Sequence, residues 1–249
     1  MSSTVLITSN LYYEDNAGGA EAIAFGEARY LVEKGHRVWL IAQAIAGGQA
    51  PYEERHGIHI LRYQRRRRIN RLASHTKEIA KILSVYGPSD VDVIRGHSPI
   101  QYWASISHYR KKPVKKILTI HSPASMERMA NRKSSDLSEY VVSSVIAVFL
   151  SMLERKCIRA SSRVTVLSRY TKRMLGRIHG RSIVTDIVII PGWVDKDRFT
   201  PAHDKMKLRG RLGWPTNKVV MFTLRRLVPR MGLDKLLIAL ARLKNDGVD

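Results

Sequence analysis

Residues 4–42 read TVLITSNLYYEDNAGGAEAIAFGEARYLVEKGHRVWLIA and contain three patterns in a fixed order. The β-branched, apolar run at residues 4–8 predicts a buried strand. Residues 20–34 carry small and apolar side chains at helical spacing, and Gly35 follows where a helix commonly ends. Residues 37–42 form a second apolar run. A strand, a helix and a second strand in this order predict parallel strands covered by a helix.

The same alternation continues through most of the chain. Further strands are predicted at residues 58–62, 91–95, 114–121, 163–167 and 187–190, and further helices at residues 71–85, 100–110, 137–159 and 169–178. A regular succession of strands and helices is typical of α/β proteins. We therefore predict an α/β fold whose main domain has a Rossmann-like parallel sheet with helices on both faces.

A second, smaller unit is predicted after this domain. Residues 191–201 contain proline, glycine and aspartate and are typical of a linker. Beyond them we predict a helix at residues 205–212, a strand at 219–224 and a helix at 233–243. One strand and two short helices cannot cover both faces of a sheet, so we predict one domain at residues 1–200 and an incomplete second Rossmann-like domain at 201–249.

The charge of the chain indicates an anionic partner. The 249 residues include 43 Lys and Arg against 21 Asp and Glu, a formal net charge of +22. Nucleic acid, a phosphorylated small molecule and an acidic membrane surface all meet this description. The single Cys157 excludes a disulfide framework and a cysteine-based zinc site, and indicates a cytoplasmic setting. Residues 140–153 are uncharged but shorter than the roughly 20 residues of a membrane span, so we predict a buried helix there.

Two loops have the composition of anion-binding sites. Gly18 and Gly19 lie between the first strand and the first helix, where backbone amides are free to meet a ligand. Arg225, Arg226 and Arg230 follow the strand predicted at 219–224. Together the two loops predict a phosphorylated ligand in a cleft between the two units. The alternatives are that the glycines only form a tight turn and that the arginines form a solvated basic turn.

Two histidines follow predicted strands at the edge where open α/β sheets bind ligands. They are His97 and His121, and the alternative for His97 is a hydrogen-bonded structural role. His56 and His59 lack a third ligand at metal spacing, so no metal is predicted. Dinucleotide-binding, P-loop and nucleophile-elbow motifs are absent from the sequence, which disfavours dehydrogenases, P-loop kinases and α/β-hydrolases.

Two basic runs are candidates for a surface that faces an anionic membrane or an acceptor. The alternative is a solvated face. Aromatic residues make up only 7% of the chain and are not interleaved with these runs, which disfavours specific nucleic-acid binding. The candidate residues are Arg65, Arg66, Arg67 and Arg68 in the first run and Lys111 and Lys112 in the second.

Several stretches resemble nucleotide-sugar glycosyltransferases of family 4, which have the GT-B fold. Residues 4–42 resemble the first strand, glycine loop and helix of that family, and LTIHSP at 118–123 resembles its strand ending in an active-site histidine. VTVLSRYTKRML at 164–175 and VIIPGWVDKDRFTP at 188–201 are similar to its interdomain signature. FTLRRLVPRMGLDKLLIAL at 222–240 resembles the opening of its donor-binding domain.

The resemblance implies transfer of a sugar, with retention of configuration, from a nucleotide diphosphate sugar and without a bound metal or other cofactor. It implies that His121 is catalytic and lies beside the transferred sugar, and that the amides of Gly18 and Gly19 meet the donor diphosphate. It also implies that Arg226 neutralises that diphosphate, with Arg230 or Arg225 in place of the family's lysine, which is Met231 here. His97 and Gly192 are expected to line the cleft.

The family's glutamate pair and nucleoside-binding strands lie downstream of residue 249. We therefore expect a chain truncated within the donor domain that shows little turnover by itself. The function expected is a hexosyltransferase type of glycosyltransferase, or a fragment of one. Its acceptor would be a cell-surface polysaccharide or a lipid-linked glycan, and its site of action the cytoplasm or the inner face of the membrane. The alternative is a non-catalytic protein that binds phosphorylated ligands or nucleic acid.

Overall fold

The computed structural model describes residues 2–15, 18–45, 47–64, 71–131, 136–197, 199–225, 227–228 and 231–247, with the backbone alone at 71–73. The strands are β1 (Thr4–Thr8), β2 (Arg37–Gln43), β3 (Tyr52–Arg55), β4 (Ile58–Tyr63), β5 (Val93–Gly96), β6 (Lys115–Ile120), β7 (Arg163–Val166) and β8 (Val188–Ile189). The helices are α1 (Gly19–Glu33), α2 (Arg71–Tyr86), α3 (Pro99–His108), α4 (Ala124–Ala130), α5 (Leu137–Ala160), α6 (Arg169–His179), α7 (Lys205–Arg211) and α8 (Leu233–Asn245), with a 3-10 turn at Arg181–Val184.

The strands form one sheet in the order β3-β4-β2-β1-β5-β6-β7-β8. Every neighbouring pair is parallel except β3 with β4. The chain moves outward from β1 to β2 and later returns to β5 on the other side of β1. The carboxyl ends of β1 and β5 therefore border the crevice in which open α/β sheets bind ligands.

Helices cover both faces of this sheet, as predicted. The smaller core packs α1, through Ala24 and Ala28, on one face of β1, β2 and β4. On the opposite face α2, α3, α5 and α6 follow one another and enclose the larger core, which includes Leu6, Ile94 and Leu118. The central strand β1 is buried along its whole length because both faces of the sheet are covered.

Most elements agree with the sequence patterns, and all strands and helices predicted before residue 191 are present. Two elements were missed: β3, an edge strand with three charged residues, and α4, a short helix after β6. The strand predicted at residues 219–224 is wrong. Those residues form no strand, and all of them except the partly buried Val220 are exposed, because none of the strands and helices formed by the described residues pairs with them or buries them.

The prediction of a buried helix at residues 140–153 is also wrong. Helix α5 forms there, but only Ser143 and Ala147 are buried in its first half, and the short helix α4 packs against α5. The apolar side chains on its other side remain exposed. None of the helices formed by the described residues is long and apolar enough to cross a bilayer.

The segment after β8 crosses helix α1. The ring of Trp193 lies over Gly26 so closely that a Cβ there would stand 2.8 Å from the indole, and Gly192 lies beside Ile23. No described residue beyond Ile190 is buried. The boundaries 1–200 and 201–249 remain a prediction.

Candidate active site

A cavity of about 850 Å³ opens at the carboxyl edge of the sheet. Its floor comes from the ends of β1, β5 and β6, and Leu224, Arg225 and Met231 contribute from the C-terminal part of the chain. The sequence-predicted residues Gly18, Gly19, His97 and His121 all line this cavity. Ligands of α/β proteins bind at this edge, so the cavity is the candidate site.

The glycine loop presents the start of α1 to the cavity. Gly18 is extended, with φ −134° and ψ 161°, and its carbonyl accepts the first helical hydrogen bond from Ala22. A Cβ on Gly18 would collide with the carboxylate of Glu21, whereas a Cβ on Gly19 would meet nothing within 4 Å. The open side of Gly19 therefore allows close approach of a ligand to first-turn amides, which lack partners within the helix.

His121 belongs to a chain of hydrogen bonds that runs away from the cavity. Its Nε2 lies 3.0 Å from Nδ1 of His97, and Nε2 of His97 lies 3.1 Å from a carboxylate oxygen of Glu27. The other oxygen of Glu27 accepts a 2.6 Å hydrogen bond from Nε of Arg95. Three elements, β5, β6 and α1, are thereby joined beneath the site.

Burial and the surrounding charges set the ionisation of Glu27 and of His121. Burial alone would raise the pKa of Glu27, but the hydrogen bond from His97 and the charge of Arg95 outweigh it and lower that pKa, so the carboxylate is ionised. A carboxylate only accepts, so Nε2 of His97 carries a proton. With His97 neutral, its Nδ1 accepts from Nε2–H of His121; with His97 protonated, its Nδ1 donates to Nε2 of His121. Burial, followed by the charges of His97 and Arg95, lowers the pKa of His121 to about 4, so its imidazole is neutral near pH 7.

A second buried pair fixes the loop that carries His121. Glu154 of α5 is fully buried, and one of its oxygens accepts from the backbone N–H of Ala124 at 2.9 Å. Its other oxygen lies 2.7 Å from Nε2 of His179 on α6. Glu154 itself lines the cavity. Helices α4, α5 and α6 therefore hold the end of β6 in place.

Other predicted residues lie elsewhere. Gly192 lies against α1 and not among the residues that line the cavity. Lys111 and Lys112 precede β6 and so lie at the opposite edge of the sheet, where Lys112 donates to Asp90 at 2.7 Å. Arg226, Arg230 and the run Arg65 to Arg68 fall outside the described residues.

The sequence analysis missed Glu27, Arg95, Glu154 and His179. A usable signal was present for one of them. Arg95 stands inside a predicted strand, and a charge in such a place needs a partner. The partner of such a charged residue is not evident from the sequence, because the two residues lie far apart along the chain.

The arrangement resembles known proteins at the level of the fold and of the family. Sucrose-phosphate synthase from Thermosynechococcus elongatus superposes with a TM-score of 0.72 at 16% identity, over 97% of this chain and 60% of its own. Anabaena HepE, solved in complex with UDP and glucose, gives a TM-score of 0.62 at 18% identity, over 96% of this chain and 58% of its own. These likenesses confirm the GT-B type of fold.

Family membership follows from the sequence itself. The family model of Glycosyltransferase Family 4 matches residues 17–198, and the chain belongs to that family. A curated relative, the GDP-mannose-dependent alpha-(1-6)-phosphatidylinositol monomannoside mannosyltransferase of Mycolicibacterium smegmatis, is 40% identical over 82 residues. That match spans 32% of this chain and 21% of the relative, and this chain spans about 60% of the two solved structures.

Proposed function

We propose that this chain carries the acceptor-side part of a glycosyltransferase that takes a sugar from a nucleotide diphosphate sugar with retention of configuration. The observation that carries the proposal is the cavity itself. Gly18 and Gly19 line one wall of it, Arg225 lines another, and His121 lies between the strand ends at its floor. Backbone amides and a guanidinium group around one cavity are suited to a diphosphate.

This arrangement can assist the bond cleavage that such transfer requires. As the glycosidic bond to the donor breaks, negative charge grows on the leaving diphosphate. Amides and arginine fixed beforehand at that position lower the barrier more than they tighten ground-state binding. We assign that role to Gly18, Gly19 and Arg225, and by resemblance to Arg226 and Arg230.

We assign His121 the role of orienting the sugar. Its neutral imidazole offers Nδ1 as a hydrogen-bond acceptor, and a sugar hydroxyl is a donor of matching kind. We assign His97 the neutral form, in which its Nε2–H is donated to Glu27 and its Nδ1 accepts from His121, so that Nδ1 of His121 is left unprotonated. No step of this mechanism uses a metal, and the expectation that none is required stays a prediction.

The donor base, the acceptor and the cellular location also belong to the proposal. The curated relative is named for GDP-mannose and for a phosphatidylinositol mannoside, and HepE was solved with UDP. Both bases are therefore reasonable probes for this chain. We propose a lipid-linked glycan or polysaccharide as the acceptor and the cytoplasmic face of a membrane as the place of action. A single buried cysteine, Cys157, fits that setting.

Thermal unfolding with nucleotides tests the proposal. At 100 times its dissociation constant, a ligand that binds only the folded chain stabilises it by about 2.7 kcal/mol. For a chain of this size the midpoint should then rise by about 5–10 °C. GDP or UDP should produce this shift, and Arg225→Gln should reduce it, whereas the matched control Arg211→Gln on the exposed helix α7 should not.

Two results would contradict the proposal. If neither GDP nor UDP stabilises the chain at millimolar concentration, the cavity is not a donor-binding site. An equal shift with sulfate, which has no diphosphate group, would mean that the cavity recognises negative charge alone, which favours the alternative of a non-catalytic binding protein.

A further inference from the structure

The outward side of helix α5 carries a continuous apolar stripe. Its residues are Leu137, Val141, Val142, Val145, Val148, Phe149 and Met152, whose exposed fractions lie between 42% and 75%. Residues 140–153 contain no charged side chain. From Val141 to Met152 the stripe is about 17 Å long at 1.5 Å per residue. Exposed apolar surface of this continuity marks a binding site for a partner or a membrane.

Helix α6, which contacts α5 on the same face of the sheet, borders a cationic groove of about 880 Å³. The basic residues that line this groove are Arg169, Lys172, Arg173, Arg177 and Arg181. No described Asp or Glu lines it or forms an ion pair with its arginines. Lys172 donates to the carbonyl of Ile187 at 2.7 Å. Like charges one helical turn apart repel, so an anion in the groove would relieve that repulsion.

The last turn of α5 continues the stripe with positive charge. Arg155, Lys156 and Arg159 are exposed, and helical spacing places them on the same side as Val145 and Met152. Apolar stripe and basic residues thus share one side of one helix, with the cationic groove on the neighbouring helix. Such a combination is typical of surfaces that lie in a membrane interface.

We propose that the α5–α6 face binds the surface of an anionic bilayer, with the apolar stripe immersed by about 5–10 Å and the cationic groove on lipid phosphates. This deepens the membrane-facing part of the proposed function, and it moves that contact away from Lys111 and Lys112. Binding of the α5–α6 face to a bilayer requires neither turnover nor a bound donor.

Charge favours a bilayer over a second copy of the chain as the occupant of this face. Each copy has a formal charge of +22, and the basic residues beside the stripe would be brought toward those of the partner. An anionic membrane attracts the same residues. The phosphate bound in the groove has two possible sources, a lipid headgroup or a soluble polyphosphate, and the experiment separates them.

Vesicle flotation of the full chain with a matched pair of variants tests the apolar stripe. Val145→Glu places a charge in the stripe, and Val85→Glu makes the same change on α2 at a similar exposure, 62% against 65%. With vesicles of 30 mol% phosphatidylglycerol in phosphatidylcholine, we expect Val145→Glu to lower the partition coefficient at least tenfold and Val85→Glu to change it less than twofold. Equal binding by the two variants would overturn the proposal.

A fluorescent label gives a second readout that does not depend on a charged substitution. Cys157 is buried, so Val145→Cys and Val85→Cys each provide one accessible thiol for an environment-sensitive fluorophore. We expect the emission to shift to the blue with anionic vesicles at position 145 and not at position 85. Absence of the shift at position 145 would mean that the stripe does not enter the bilayer.

The cationic groove is tested by the double variant Arg173→Gln with Arg177→Gln. We expect at least tenfold weaker binding to the anionic vesicles, and no binding of the unmodified chain to pure phosphatidylcholine. Binding of polyphosphate without binding of anionic vesicles would assign the groove to a soluble anion and overturn the proposal. Dimers that dissociate on Val145→Glu, with vesicle binding unchanged, would assign the stripe to a second copy. The nucleotide-induced thermal shift of the same variants reports separately on the donor site.

Discussion

Replacing Gly19 by alanine should separate the stability of the fold from the binding of a diphosphate. Gly19 is the first residue of α1, its φ is not in the left-handed region, and an added Cβ meets nothing within 4 Å. Alanine should therefore fit and stabilise the helix, by up to about 1 kcal/mol. The same methyl group would stand on the open side of the loop, where the diphosphate must approach the amides. Loss of one amide hydrogen bond to a charged group costs about 1.5–3 kcal/mol, or roughly tenfold or more in affinity.

Thermal unfolding with and without GDP or UDP measures both effects. At a ligand concentration that is 100 times the original dissociation constant, a tenfold loss lowers the ligand-induced stabilisation from about 2.7 to about 1.4 kcal/mol. Gly210→Ala in α7 is the matched control, because its Cβ also meets nothing within 4 Å. The control should leave the ligand-induced shift unchanged. An undiminished shift in Gly19→Ala would refute the assignment of the glycine loop to the diphosphate.

Three other changes have expected outcomes. His179→Ala leaves the carboxylate of Glu154 buried without its imidazole partner, so it should cost about 3–5 kcal/mol and lower the unfolding midpoint by about 6–20 °C; a change within 2 °C would contradict this. The pKa of His121 is about 4 in the folded chain, so its proton binds more readily after unfolding, and stability should fall as the pH drops from about 6.5 toward 4; His121→Gln should flatten that part of a pH series of denaturant titrations, and an unchanged profile would show that other groups dominate. Glu21 holds its carboxylate beside Gly18 at the cavity wall, so Glu21→Gln should raise affinity for GDP or UDP by roughly fivefold in calorimetric titration; a weaker affinity would mean that Glu21 helps to hold the ligand.

The sheet was predictable because its signals are local. Strands such as β1 and β2 are apolar on both faces, and helix α1 between them ends at a glycine, so a few neighbouring residues identify each element. Edge strand β3 carries three charged residues and exists only because β4 pairs with it. The strand predicted at 219–224 has the right composition but no partner. Composition thus predicts which segments are able to form a strand, whereas pairing with a neighbouring strand determines whether the strand forms.

The candidate site was predictable only in part. Its glycines and histidines follow strand ends, and a parallel sheet brings such positions to one edge. The residues behind them were missed, because Glu27 reaches His97 across 70 positions and Arg95 across 68. The exposed stripe on α5 was misjudged for a related reason. An uncharged helical segment is compatible with a buried or an exposed face, and only the packing of α4 against one side distinguishes them.

Helix α1 contacts both the cavity and the segment that follows β8. Its first turn forms a wall of the cavity, and about 10 Å further along its axis Gly26 is covered by the indole of Trp193. Any hinge-like displacement of the segment after β8 must slide that ring across the helix or carry the helix with it. With Trp39, Trp103 and Trp214 replaced by phenylalanine, the fluorescence of Trp193 would therefore report displacement of this segment from α1.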